Sequence, residues 1–207
     1  MMLDFVISAF ATLAVVVDPI GLAPAFIGIT TGLPAAARRS VGLRACLIAG
    51  AILVGAAVIG DNLLRRLGIT LPAFEIAGGL LLFWIAAEMV YGTRSERESK
   101  AAEQAVEEHI RNIAAFPLAI PLMAGPGAIA AAVLLAGQAR EPVLLATLIG
   151  VIVAVCTLTF TVFLFAGTIK RALGTTGNIV LSRLLGVILA ALAVQYVIDG
   201  VRMVMKS

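Results

Sequence analysis

The chain has 207 residues, of which 61% are hydrophobic and only 13% charged, with a formal net charge of +3 and a mean hydropathy of +1.10. Soluble domains carry roughly 25% charged residues, so this composition excludes an ordinary soluble globule. It also excludes a nucleic-acid surface, because the basic excess sits in short connections between apolar runs.

Apolar runs of roughly 20 residues, each enough to cross about 30 Å of hydrocarbon, predict six membrane spans at 4–30, 41–62, 70–91, 112–137, 142–169 and 178–201. The amino terminus, MMLDFVISAF, has no basic leader and carries Asp4, so it reads as a retained first span. That span is interrupted in its middle by VVVDPIGLAP, residues 15–24. Pro19 and Pro24 each remove a backbone donor and crowd the preceding turn, at about 3 kcal/mol or more within a helix. Asp18 puts a charge near the middle of the bilayer, at a cost of roughly 3 kcal/mol. It is either the partner of a proton, cation or ammonium group, or the N-cap of a resuming helix with proline at its first position.

The third span carries Glu75 at its outer end, read as interfacial, and Glu88 near its inner end. Trp84 and Tyr91 read as packing and belt residues. The connection at 92–111 is strongly charged and holds His109, the one histidine, as a solvated side chain. Its spacing suits a short surface helix between two halves, 1–91 and 112–207.

The fourth span breaks again in IPLMAGPGAI. A shift of 102 places Pro19 and Pro24 on Pro121 and Pro126, with Ile120 in the place of Asp18. LRRLGIT at 64–70 matches KRALGTT at 170–176, and 74–90 matches 181–197, with Gly79 on Gly186 and Glu88 on Gln195. Three matches in one order imply a duplication. Three spans per half, an odd number, invert the second half relative to the first. The expected fold is therefore all-α and polytopic, two inverted three-helix repeats with a broken first helix in each.

Thr157, Thr159 and Thr161 of the fifth span are expected to bond back to their own backbone. In the sixth span Gln195 is either an interhelical hydrogen-bonding group or a pore-facing one. Arg183 is expected to form an ion pair with Glu88, or else to snorkel.

Ten of the 15 basic residues (Arg38, Arg39, Arg44, Arg94, Arg97, Lys100, Arg111, Lys170, Arg171, Arg183) lie on the side of the odd connections. Arg65, Arg66, Arg140, Arg202 and Lys206 lie on the other. The bias puts the odd connections in the cytoplasm and both termini outside. Cys46 and Cys156 lie in apolar runs and read as small buried hydrophobes. No Cys/His cluster suggests a metal or haem, and no phosphate-binding loop suggests ATP hydrolysis.

An interrupted helix offers two fixed partial charges: free N–H groups for a carboxylate, and free carbonyls for an ammonium group or cation. Gly21, Gly125 and Gly127 are expected to let a ligand approach the backbone closely. The substrate-binding set read from the two breaks is Asp18, Pro19, Gly21, Pro24, Gly125, Pro126 and Gly127, with Gln195 added. The expected function is secondary transport of a small zwitterion bound at mid-membrane, with no cofactor beyond a coupling proton or sodium ion. A passive channel or an exporter of another small metabolite is the alternative. A membrane-embedded enzyme would need a catalytic partner at the depth of Asp18, and none is visible. The partners are the lipid bilayer and the substrate. Gly and Ala rims permit close packing within or between protomers, a homo-oligomer included.

DPIGLAPAFIGIT, PLAIPLMAGPGAI and SRLLGVILAALAVQ together resemble the MarC family of integral membrane proteins, over essentially the whole chain. The resemblance implies six spans in the cytoplasmic (inner) membrane and ion-driven transport of small neutral amino acids such as alanine and glycine. The family's motif residues fall on Asp18, Pro19, Gly21, Pro24, Gly125, Pro126 and Gly127. Relatives often carry Asn at the position of Leu22, and hydroxyl residues at Ala130 and Ala131, so the polar lining here is reduced.

Overall fold

A computed structural model describes residues 2–107, 112–139 and 141–206; His109, Arg111 and Arg140 lie outside them. The described residues are helical almost throughout, with no strand among them. The order is α1 (Met2–Val17), α2 (Leu22–Ile29), α3 (Ala35–Arg66), α4 (Leu71–Tyr91), α5 (Thr93–Glu107), an irregular segment Ala114–Met123, α6 (Pro126–Gln138), α7 (Pro142–Leu164) and α8 (Ala166–Lys206). Four helices are long and apolar enough to cross a membrane, and six spans result if each of two bent pairs counts as one. Those pairs are α1 with α2, bent by 45°, and the segment Ala114–Met123 with α6, bent by 59°.

Local chemistry places the boundaries. The Thr70 hydroxyl accepts the Ala73 N–H to open α4, with Pro72 in the first turn, and Gly92 closes the helix at φ +84°. α8 turns at Gly174, where φ is +61°. The irregular segment departs furthest from expectation, which had an intact half-helix before the second break. Pro117 and Pro121, four apart, remove two successive ladder donors. Phe116 and Ile120, which precede them, adopt extended backbone.

Two of the pairs that the shift aligns pack on one another, α3 on α7 and α4 on α8, while at the breaks α1 packs on α6. The α4–α8 contact is the most extensive, and its antiparallel course shows in two glycines. A Cβ at Gly79 would lie 2.8 Å from the Ala193 carbonyl oxygen of α8, and one at Gly186 would lie 3.1 Å from the Ala86 carbonyl oxygen of α4. Each helix thus opens a notch for the other's backbone. Phe26 of α2 stacks on Phe163 of α7 with ring centroids 4.3 Å apart. The core runs through the inward faces of α1, α4, α6 and α8, around Leu13, Leu82, Ala131, Leu134 and Leu189. Leu47, Ile59, Leu80, Phe83 and Val187 point outward, as lipid-facing side chains do.

The notch makes a direct prediction. Gly79→Ala meets backbone that cannot rotate away, so it is expected to destabilise by about 1–3 kcal/mol. Gly55→Ala in α3 meets nothing within 4 Å and is expected to stabilise by about 0.5–1 kcal/mol through helix propensity. Thermal unfolding of the two variants in one detergent separates these outcomes.

Candidate functional site

The first break is satisfied by the protein's own side chains. A helix end leaves its last carbonyls and its first N–H groups without partners. At the end of α1, the Val16 carbonyl accepts a hydrogen bond from Arg94 Nη2 at 2.7 Å. At the start of α2, the Gly21 N–H donates to Asp18 Oδ1 at 3.0 Å. Asp18 Oδ2 accepts from the Ser182 hydroxyl of α8 at 3.1 Å. A cation thus stands at a helix C-terminus and an anion at an N-terminus, each where the backbone dipoles favour it. Asp18 is 2% exposed and holds φ +50°, a conformation that Asp tolerates better than most residues. Pro19 is buried in the same turn, and Pro24 sits in the first turn of α2.

The second break is left open. Gly125 precedes Pro126 at the first position of α6, and no side chain caps that N-terminus. In front of it lies a cavity of about 330 Å³, at the small end of the roughly 300–1,000 Å³ range of ligand sites. Its walls come from Val16 of α1, from Leu81, Trp84, Ile85 and Glu88 of α4, from Arg94, Arg97 and Glu98 of α5, and from Gly125, Pro126 and Gly127. Two cations and two carboxylates therefore surround it.

The charged groups are only partly paired. Arg94 is 6% exposed and Glu98 5% exposed, and Arg94 Nε donates to Glu98 Oε1 at 2.9 Å. Glu88 Oε1 accepts from Arg97 Nη1 at 2.9 Å and from Trp84 Nε1 at 3.3 Å. Arg94 Nη1 and Glu88 Oε2 are buried with no partner. Such groups are rare in native proteins, and a bound ligand is one of the few ways to satisfy them. Burial pushes the Glu98 carboxyl above its ordinary range; the Arg94 guanidinium opposes this and the nearby Asp18 carboxylate reinforces it.

Several sequence expectations change here. Glu88 pairs with Arg97, while Arg183 is exposed with its guanidinium near Gly92. The spacing across α4 and α5 lets Arg97 fold back onto Glu88, which removes the need for a partner on α8. Gly21 does not line the cavity, whereas Gly125 and Gly127 do. The space of a side chain is filled at Gly21 by the Asp18 carboxylate, at Gly125 by the Pro121 carbonyl and at Gly127 by Ile85. These glycines permit close packing of the breaks. Gln195 is exposed, bonds to Asp199 one turn on at 2.9 Å, and does not line the cavity. Asp18 does not line it either. Glu75, expected at the interface, is buried. The three threonines of α7 do bond back to carbonyls four residues earlier. Both cysteines are free.

The 92–111 connection is more than a surface helix. Arg94 and Glu98 lie one turn apart on α5, a spacing that puts both on one face, and that face enters the protein against α2 and α4. The R-x-x-x-E pattern was visible, but charged helices are usually solvated.

Asp18 offers a test of its role. Asp18→Asn keeps an oxygen for the Gly21 N–H and is expected to leave stability near that of the unmodified protein. Asp18→Ala loses the cap and is expected to cost about 0.5–2 kcal/mol in thermal unfolding.

The family model described as MarC family integral membrane protein matches residues 3–205. A membrane protein of Archaeoglobus fulgidus described as UPF0056 is 35% identical over 199 residues, covering 96% of this chain and 92% of its own. An Aquifex aeolicus protein of the same description is 36% identical over 208 residues, with 97% and 94% covered. The Escherichia coli membrane protein YhcE is 33% identical over 196 residues, with 93% and 90% covered. No solved structure matches the chain.

Proposed function

The chain belongs to the MarC family of integral membrane proteins, and from that premise we propose that it is an ion-coupled secondary transporter of small neutral amino acids. One observation carries this reading: a small cavity is lined by the buried Arg94 guanidinium and the half-buried Glu88 carboxylate, with Arg94 Nη1 and Glu88 Oε2 both unpartnered. A zwitterion supplies a carboxylate for the first and an ammonium group for the second. The uncapped α6 N-terminus adds backbone dipole on the carboxylate side. The remaining walls are apolar (Val16, Leu81, Ile85), which favours a short aliphatic side chain and disfavours a charged one.

The packing of α3 on α7 and of α4 on α8 supports two inverted repeats, and the contact of α1 with α6 brings the two breaks together. In such an arrangement, rocking of one repeat against the other alternates access to a fixed site. The basic-residue bias supports cytoplasmic odd connections, with both termini outside the cell membrane.

The test is uptake of labelled alanine, glycine and serine into proteoliposomes, with proton and sodium gradients imposed separately. Gradient-driven accumulation of at least one is expected. Flux that ignores both gradients would make the protein a channel, and no flux of any amino acid would sink the substrate class.

A further inference from the structure

Away from the cavity, a second buried polar cluster joins α1, α4 and α8. Glu75 of α4 is 1% exposed, and its Oε2 has no partner. Thr12 of α1 is fully buried, with its hydroxyl turned to the Tyr196 phenol. Tyr196 of α8 is buried beside Thr12 and Glu75. The other groups facing Glu75 are the neutral Gln138 side chain at the end of α6 and the Asp199 carboxylate of α8. No Lys or Arg among the described residues forms an ion pair with Glu75; Arg202 approaches only Asp199, at 4.0 Å.

A carboxylate in this position would be desolvated and next to another acid, with a neutral amide hydrogen bond from Gln138 and no cation to offset its charge. Such a charge costs so much in a low-dielectric interior that the group takes up a proton or a cation instead. A bound metal ion needs several converging oxygens, and no group of three or more His, Cys, Asp or Glu converges among the described residues. A proton needs only the one oxygen. We infer that Glu75 is a proton-binding site, held as the carboxylic acid in this conformation and emptied in the other. Gly200 packs against Pro72 and Glu75, so α8 lies directly on the helix that carries the acid. A shift of α8 along α4 changes what Glu75 faces, and Tyr196 and Thr12 supply hydroxyls that can pass the proton on.

The proton site stands on burial and partner geometry; its place in coupling rests on the transport reading above. The two are tested separately in phosphatidylethanolamine/phosphatidylglycerol vesicles. Infrared spectra at neutral pH are expected to show a carboxylic-acid C=O band with a component that is lost in Glu75→Gln. If the unmodified protein has no such band, or the band keeps its full intensity in Glu75→Gln, the site is refuted. Gln mimics the neutral acid, so Glu75→Gln is expected to fold as stably as the unmodified protein. In the flux test, Glu75→Gln is expected to exchange labelled alanine across the membrane while its proton-driven accumulation ratio falls to unity. Accumulation at the unmodified level, or accumulation driven by sodium alone, would overturn the coupling role. If the unmodified protein moves no amino acid, the transport reading fails and the infrared result still decides the proton site.

Discussion

Arg94→Gln is expected to abolish gradient-driven uptake and to destabilise the protein by about 3–5 kcal/mol, the usual cost of removing one partner from a buried ion pair. Arg94 holds three things together: the Val16 carbonyl at the end of α1, the Glu98 carboxylate, and the Nη1 group that faces no partner. Gln is too short and carries no charge to replace any of them. The loss should depend on pH. Without the guanidinium, burial raises the Glu98 carboxyl further, so the folded state binds a proton more tightly than the unfolded chain does. Stability is then greatest at low pH and falls as pH rises from the ordinary glutamate range through the raised value. Thermal unfolding across a pH series measures this directly. The double variant Arg94→Gln/Glu98→Gln removes both charges and is expected to recover much of the stability without recovering uptake. If it restores uptake as well, Arg94 is a structural residue only.

Glu88→Gln tests the other end of the site and is expected to raise the substrate dissociation constant by about 30-fold or more. Glu88 is half-buried, so its loss is taken at the lower end of the roughly 2–5 kcal/mol that truncating a buried charge pair costs, and about 1.4 kcal/mol is tenfold in affinity. The carbonyl oxygen of Gln still accepts from Arg97 and Trp84, so the fold should be little affected. What disappears is the anionic Oε2 that an ammonium group would meet. Binding of labelled alanine to the purified protein, measured beside its thermal stability, separates the two effects. Equal affinity in Glu88→Gln would place the ammonium elsewhere.

The two breaks show how differently the parts of this molecule can be read. The apolar runs and the prolines were legible because each acts locally. Hydrocarbon selects long apolar helices, and a proline interrupts a helix whatever surrounds it. The DPIG and GPG segments therefore marked both breaks correctly. The first break, however, turned out to be satisfied from within. Its acid caps α2 and takes the Ser182 hydroxyl, and Ser182 lies 164 residues away. No local pattern announces such a partner.

The same contrast divides the charged residues. Arg94 and Glu98 sit in a segment whose composition is that of a solvated linker, yet both are buried. Glu75 sits near the end of a span, yet it is buried, as Asp18 is. Periodicity and composition reveal which residues share a helix and which faces are apolar. They do not reveal which face another helix will cover, because that depends on contacts between elements far apart in the chain. Membrane class, the all-helical fold and the sites of interruption thus follow from the order of residues alone. The identity of the groups left unpartnered around the cavity, Arg94 Nη1 and Glu88 Oε2, follows only from how α4, α5 and α6 come together.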